Sequence, residues 1–435
     1  MTGTSMRCGI TALLVTLTGA IASAQDPPGR PVTLGEAYRL AAAADPRLQQ
    51  LALRAAQADE RVAAIDTTRL PALRFNGQAQ YQSDVPSFPF AGPGGAPLVT
   101  PPKATIDAYV GVEQRLVDPS RASRAAVVRA ERDEARARVD ATLYALRQEV
   151  DEAFFAAVLA DARERSIVVR MQALEQLRAV VEAGVRERAL LPSEAYAIEA
   201  ALLEREQQRQ QAGYARRSAV DRLSALTGGA ITYGSTLTVP GDALPGIDEL
   251  NEMRSRPEFA LYDAMRERIA AQRAAVGVET RPRVSAFARA GVGRPGLDFI
   301  SDEFDAYWLG GIQVQWAPPV WGATAHERRA LDLERDVVAT EVEAFAARLE
   351  RARTADLAEV ARLESALTLD ERIVTLRERI EREARLRWDE RVIPLAEYLD
   401  RSGDLLNAEL AREEHRIALA VARTRVRTNA GLEVQ

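Results

Sequence analysis

Thiols are nearly missing from this 435-residue chain, whose one cysteine is Cys8. Histidine occurs twice, as His326 and His415, each alone on a charged, helix-like stretch. Neither shows the spacing of metal ligands, so both read as surface residues and no metal site is expected. Lysine occurs once, as Lys103, so nearly every cation is arginine. The net charge of −6 and pI near 5.4 exclude the basic footprint of a nucleic-acid binder. No phosphate-binding loop or nucleophile elbow occurs, so neither an enzyme nor a cofactor is expected. Beyond the first two dozen residues, no stretch approaches the roughly 18 uncharged apolar residues of a membrane helix. Disorder is excluded as well, because 28% charged and 47% apolar residues are those of a folding chain.

Cys8 has a local explanation. Arg7 precedes an apolar stretch from Ile10 to Ile21, and Ala22-Ser23-Ala24 supplies a small-x-small site before Gln25. This is the pattern of a secretory leader, residues 1–24, cut after Ala24. Cys8 stands ahead of the apolar run rather than at its end, so it is not placed to carry a lipid. The mature chain is then expected to have no thiol, which removes disulfides, thiol catalysis and cysteine metal sites together.

Length alone argues for about three domains, but an internal repeat overrides it. Asp45-Pro46 opens a helix that Pro71 ends, and Arg256-Pro257 opens another that Pro282 ends. Asp caps and Pro occupies a first helical position without loss. Both prolines recur at an offset of 211 residues. Each helix leads into an alternating segment with one oily and one wet face. The oily positions are Leu73, Phe75, Gly77, Ala79 and Tyr81, then Val284, Ala286, Ala288, Ala290 and Val292. After a Pro/Gly-rich loop, Val85 to Lys103 or Gly296 to Asp305, a second strand follows in each half. Its oily face is Ile106, Ala108, Val110, Val112 and Leu116, or Trp308, Gly310, Ile312, Val314 and Trp316. Proline-free stretches come next, from about Pro119 to Arg188 and from about Ala323 to Glu390, with apolar residues at coiled-coil spacing. Each meets a proline turn, Leu191-Pro192 or Ile393-Pro394, and a return helix ending near Gly228 or Gly431. The expected domains are a first repeat over 25–228 with hairpin 73–117, an irregular inter-repeat segment over 229–255, and a second repeat over 256–435 with hairpin 283–316.

An exported chain with amphipathic strands of about ten residues points to an outer-membrane barrel. Four strands cannot close around an aqueous lumen, and an open sheet edge cannot sit in lipid. A membrane reading therefore requires several chains, three being the economical number. The competing reading is a soluble secreted coiled-coil scaffold with a small β-sheet.

The order and spacing of these features resemble the TolC-like outer-membrane efflux proteins. The resemblance rests on Asp45-Pro46 through Pro71, Arg256-Pro257 through Pro282, "AEYLDRSGDLLNAEL" from Ala396 to Leu410, "RLSALTG" and "NAGL". It implies a mainly α chain with a β membrane part, closing as a homotrimer into a twelve-stranded barrel and a periplasmic tunnel of twelve helices. It implies export of drugs, toxic ions or proteins, with an inner-membrane pump and a periplasmic adaptor (membrane fusion protein) as partners. Many members carry a lipid on an N-terminal cysteine, and this chain departs from them. By resemblance, Glu397 and Asp400 match an acidic pair at the closed periplasmic entrance, with Glu in place of Asp at the first position. The turns at Leu191, Pro192, Ile393 and Pro394 become adaptor-docking sites. Leu73, Phe75, Tyr81, Ile106, Val110, Val112, Val284, Val292, Trp308, Ile312 and Val314 become the lipid-facing wall, with Tyr81, Trp308, Trp316 and Trp321 near the strand ends as an interfacial girdle. The lack of Met and His clusters argues against a lining for soft metal ions.

Overall fold

Two helices of 67 residues set the scale of the molecule: α3, Ser120–Arg186, and α6, Ala323–Asp389. At 1.5 Å per residue each is about 100 Å long. A computed structural model describes residues 31–85, 101–241, 244, 255–297, 303–318 and 320–433. The expected leader, most of the loop after the first strand, and much of the inter-repeat segment lie outside the described residues.

Both long helices are free of proline and rich in Ala, Leu, Arg and Glu, which are strong helix formers. Their wet faces carry ion pairs one turn apart, such as Arg178–Glu175 at 2.8 Å and Arg362–Glu359 at 2.7 Å. Such exposed pairs contribute only a few tenths of a kcal/mol each, so packing holds the rods. Return helices α4, Pro192–Leu226, and α7, Leu395–Ala430, run back along α3 and α6. The α6–α7 seam buries Val360 and Leu363 against Leu419, Ala422 and Val426. The two helix pairs, α3 with α4 and α6 with α7, meet where α3 packs on α7, with Arg170 held 3.1 Å from Glu409.

Shorter helices flank the sheet end of the rods. Helix α2, Arg47–Thr67, packs on α3, and α5, Pro257–Glu279, packs on both α3 and α6. The Asp45 carboxylate accepts the Arg47 N–H at 2.8 Å, as a capping aspartate should. Arg268 of α5 binds Glu134 of α3 at 2.5 Å and Glu334 of α6 at 2.9 Å, so one guanidinium ties three helices.

One four-stranded antiparallel sheet is formed by β2, Ala72–Tyr81; β3, Ala104–Val117; β5, Arg283–Arg294; and β6, Asp305–Gln315, in the order β2-β3-β5-β6. Two further strands are present, and the second corrects the expectation that residues 229–255 are irregular. Strand β1, Pro31–Thr33, pairs in parallel with β4, Thr236–Thr238. Three residues are too few to show a period of two, and the partners lie some 200 residues apart. Helix α1, Leu34–Ala44, was not legible either.

These small elements wrap the middle of the rods. Leu34 and Ala37 of α1 are fully buried with Val150, Phe154, Leu223 and Ile231. Beside them the Tyr38 hydroxyl donates to Asp151. Burial pushes the Asp151 carboxyl up to about 6, against the opposing pull of the Tyr38 hydrogen bond and of Arg147 and Arg425. A carboxyl raised in the folded state supports the fold while protonated. That support is complete below the ordinary value of 3.8 and is lost as pH rises through about 6. The full swing is on the order of 3 kcal/mol. Asp151→Asn keeps an acceptor for Tyr38 and removes the charge. The variant should melt with the parent near pH 4 and several degrees above it near pH 7.5; an equal difference at both pH values would exclude this assignment.

Candidate functional site

The register of the sheet aligns its four oily faces. Phe75 lies opposite Val110, Val110 opposite Ala290, and Ala290 opposite Trp308. The next row is Leu73, Val112, Ala288 and Gly310. Directly opposed residues share a face, so the oily face is continuous across all four strands. It is also bare: Phe75 is 79% exposed, Trp308 80% and Ile312 71%. Tyr81, Ile106, Val110, Val112, Val292 and Val314 are exposed on the same side, and Val284 is half-buried. A contiguous face of this kind marks an apolar environment or a partner. Trp308, the fourth residue of β6, stands near the start of its strand but in a middle row of the sheet, because β3 and β2 run on beyond the start of β6. Trp316, whose indole donates to Thr280 O at 3.0 Å, and Trp321 lie at the helical end, with Tyr81 at the opposite one.

The other face is polar. Arg74 pairs with Glu113 at 3.0 Å, the Tyr307 hydroxyl donates to Asp107 at 2.6 Å, and Arg289 lies 5.0 Å over the Tyr109 ring. Gly291 lets β3 and β5 carry this layer, since a Cβ there would meet the Ala108 carbonyl and the Tyr109 Cβ at 2.5 Å. The sheet has two edges, because β2 and β6 each pair on one side only among the described residues.

At the far end of the rods are the two proline turns. Each begins with an arginine in the left-handed region, Arg188 and Arg391, both at φ 61°. Backbone bonds repeat between them: Ala189 N–H to Gly184 O at 2.7 Å, and Val392 N–H to Arg387 O at 2.8 Å. Gly184 leaves room for Leu190, whose Cδ1 would lie 2.6 Å from a Cβ there. The tips are level, because the Arg391 guanidinium donates to the Ala189 carbonyl at 2.8 Å. A shared core of Leu177, Val181, Ile198, Trp388, Leu395 and Tyr398 lies above them. Tyr398 stacks on Trp388, with centroids 6.2 Å apart, and its hydroxyl donates to Glu381 at 2.8 Å.

The arginines recur at an offset of 203 residues and the prolines at 202. The first turn therefore holds one extra residue, which rotates α4 by about 100° relative to α7. As a result Tyr196 is 70% exposed, whereas its counterpart Tyr398 is buried. Among the expected docking residues, Leu191 is 68% exposed while Ile393 packs partly into the tip core. Pro192 and Pro394 are exposed.

Glu397 and Asp400 lie on the side of α7 away from its buried row of Leu395, Tyr398, Ser402 and Leu406. Asp400 is exposed and Glu397 half-buried, and among the described residues neither makes an ion pair. The sequence reading missed a third member of this row. Asp404 is seven residues beyond Glu397 on the same face, held by Arg377 at 2.6 Å and Arg401 at 3.8 Å. Spacing of three and then four residues was the available signal. His415 also needs correction. It is not isolated, because its Nδ1 lies 2.6 Å from the buried Asp370 carboxylate across the α6–α7 seam. His326 is exposed.

The tips generate a paired test. A non-glycine residue in the left-handed region costs about 1–2 kcal/mol, and an exposed hydrogen bond returns about 1 kcal/mol or less. Arg188→Gly removes only strain and should raise the melting midpoint by a few degrees. Arg391→Gly removes strain and the bond to Ala189 together and should leave the midpoint nearly unchanged. Equal shifts in thermal melts of the two variants would show that the tip-to-tip bond contributes nothing.

No protein-family model matches the chain, and no curated protein matches it by sequence. Solved structures do match. The channel-forming protein CusC is 14% identical over 92% of each chain, with a TM-score of 0.68. The outer-membrane channel CmeC of Campylobacter jejuni is 13% identical over 92% of this chain and 85% of its own, with a TM-score of 0.63. The outer-membrane channel MtrE of Neisseria gonorrhoeae, in its open state, is 16% identical over 92% and 89%, with a TM-score of 0.64. The duplicated helix–hairpin–rod architecture of this chain is thus the fold of solved outer-membrane channels.

Proposed function

We propose that the protein is the outer-membrane duct of a tripartite efflux or type I secretion system, passing small molecules or proteins outward without chemistry of its own. The observation that carries this reading is the bare oily sheet with two unpaired edges, mounted on rods about 100 Å long. No helix among the described residues is long and apolar enough to cross a membrane. The sheet is then the membrane element, with strands of 10 to 14 residues matching a tilted transmembrane strand. Edge groups unpaired in lipid cost several kcal/mol each. Three copies joined β6 to β2 satisfy them in a twelve-stranded barrel and bring the rods together as a periplasmic tunnel. The solved structures that share this fold are channels, and energy for transport then has to come from an inner-membrane pump.

In this reading Glu397, Asp400 and Asp404 of three copies form an acidic ring at the tunnel's inner end. Such a ring concentrates cations and repels anions. The test is the mass of the complex extracted from outer membranes in mild detergent, followed by conductance in planar bilayers. A trimer whose cation preference falls in Glu397→Ala with Asp400→Ala supports the duct and its gate. A monomer, or a protein released without detergent, would overturn the duct and favour a soluble scaffold.

The level tips are the surface a helical adaptor hairpin would reach, with Leu191 as the exposed apolar contact. Leu191→Glu should abolish export while leaving the oligomer and its conductance intact. Ile393→Glu, buried in part, should also lower stability. Full export by Leu191→Glu would argue against docking at this turn.

A further inference from the structure

A cavity of about 750 Å³ lies between α3 and α7, on the sheet side of their Arg170–Glu409 contact. Its α3 wall is Gln148, Glu152, Phe155 and Leu159, at steps of four, three and four. That row is on the far side of α3 from Val150 and Phe154, which pack with α1. Its α7 wall is Ile417, Val421, Arg425 and Thr428, also one face of a helix. Toward the sheet the cavity closes where the Tyr144 hydroxyl donates to the Thr428 carbonyl at 2.6 Å. Toward the tips it closes where Arg163 pairs with Glu414. Every wall belongs to one chain, so the cavity depends neither on a second copy nor on the duct reading.

Its volume is that of a small-molecule site, which spans roughly 300–1,000 Å³ and is mostly apolar. Phe155, Leu159, Ile417 and Val421 supply the apolar floor. The charges in the wall decide the sign of a ligand. Each carboxylate is already engaged: Asp151 by the Tyr38 hydroxyl, Glu152 by Arg222 at 3.1 Å, Glu359 by Arg362 at 2.7 Å and Glu414 by Arg163. Arg256 is engaged by Glu258. Arg425 is the exception, because among the described residues it makes no ion pair or hydrogen bond. One turn along the same face, the Thr428 Oγ1 is buried and lacks a hydrogen-bond partner. An unpaired guanidinium beside an unpaired hydroxyl is a donor pair suited to a carboxylate, sulfonate or phosphate monoester. From Arg425 to Ile417 the floor runs about 12 Å along α7, which leaves room for an apolar body behind such a headgroup.

We propose that this cavity binds an amphipathic organic anion, with its acidic headgroup on Arg425 and Thr428 and its apolar body against Phe155, Leu159, Ile417 and Val421. Its occupancy bridges α3 and α7 at the level where α1 packs.

Titration of the full-length protein in phosphatidylcholine nanodiscs tests it, with pyrene-1-sulfonate as the probe, fluorescence anisotropy as the readout and empty nanodiscs as the blank. The parent should bind one probe per chain saturably, and a pyrene trimethylammonium salt more weakly. Arg425→Ala should weaken sulfonate binding about tenfold to a hundredfold, the worth of a hydrogen bond to a charged group. Arg425→Lys should keep most of the affinity. Ala156 is exposed at the cavity wall, and Ala156→Trp should abolish saturable binding by filling the space. Both positions are exposed, so Arg425→Ala and Ala156→Trp should melt with the parent when no probe is present. Saturating probe should raise the melting midpoint of the parent and leave that of Ala156→Trp unchanged. Undiminished binding in either variant would place the probe on lipid or on the bare sheet and overturn the site. Tighter binding of the cation, or no saturable binding by the parent, would overturn it as well. A monomer extracted from outer membranes would overturn the duct and leave this site standing, because one chain supplies all its walls.

Discussion

Backbone hydrogen bonding at the sheet edges constrains everything else in this molecule. Strands β2 and β6 each present a row of N–H and C=O groups with no partner among the described residues. In water such edges are a hazard, and in lipid they are prohibitive. The oily face spanning Phe75, Val110, Ala290 and Trp308 calls for an apolar surrounding or a partner. In the proposed duct, one chain is therefore one sector of a closed wall. The rods inherit that requirement, because they continue directly from the hairpins through Pro119 and Gly322.

The rods also show how a helix can serve two neighbours. A helix packed on one side needs a single apolar stripe, and α6 has that row in Val360, Leu363 and Val374. Its adjacent row from Leu369 to Ile380 is exposed in the single chain. Hydrophobic burial supplies the stabilisation along these seams. The Arg–Glu pairs on the outer faces mainly keep the helices soluble and in register.

Duplication made the chain easy to read, and departures from it carry the specificity. The same αL arginine and the same proline mark both tips. One extra residue in the first turn then rotates α4 by about a helical step relative to α7. That rotation buries Tyr398 against Trp388 and leaves Tyr196 bare. It likewise buries Ile198 where the equivalent position of the second repeat presents Asp400. The acidic row of Glu397, Asp400 and Asp404 therefore belongs to one repeat only.

By itself, the sequence determined the long helices to within two residues at each end, the hairpins, the residues that share the oily face of each strand and the positions of both turns. Proline placement and periods of two and of three to four are local signals, and each repeat confirms the other. Tertiary structure alone decided what depends on contacts between distant residues. It assembled α1, β1 and β4 into a collar, although β1 and β4 are three residues each and too short to show a period. It placed His415 on Asp370 and Asp404 on Arg377, pairings that cross from α7 to α6 and leave no mark in either segment. It set Trp308 in the middle of the oily face, because register rather than position along a strand fixes height in a sheet. And it brought the tips level through Arg391 and Ala189, a bond between turns some 200 residues apart.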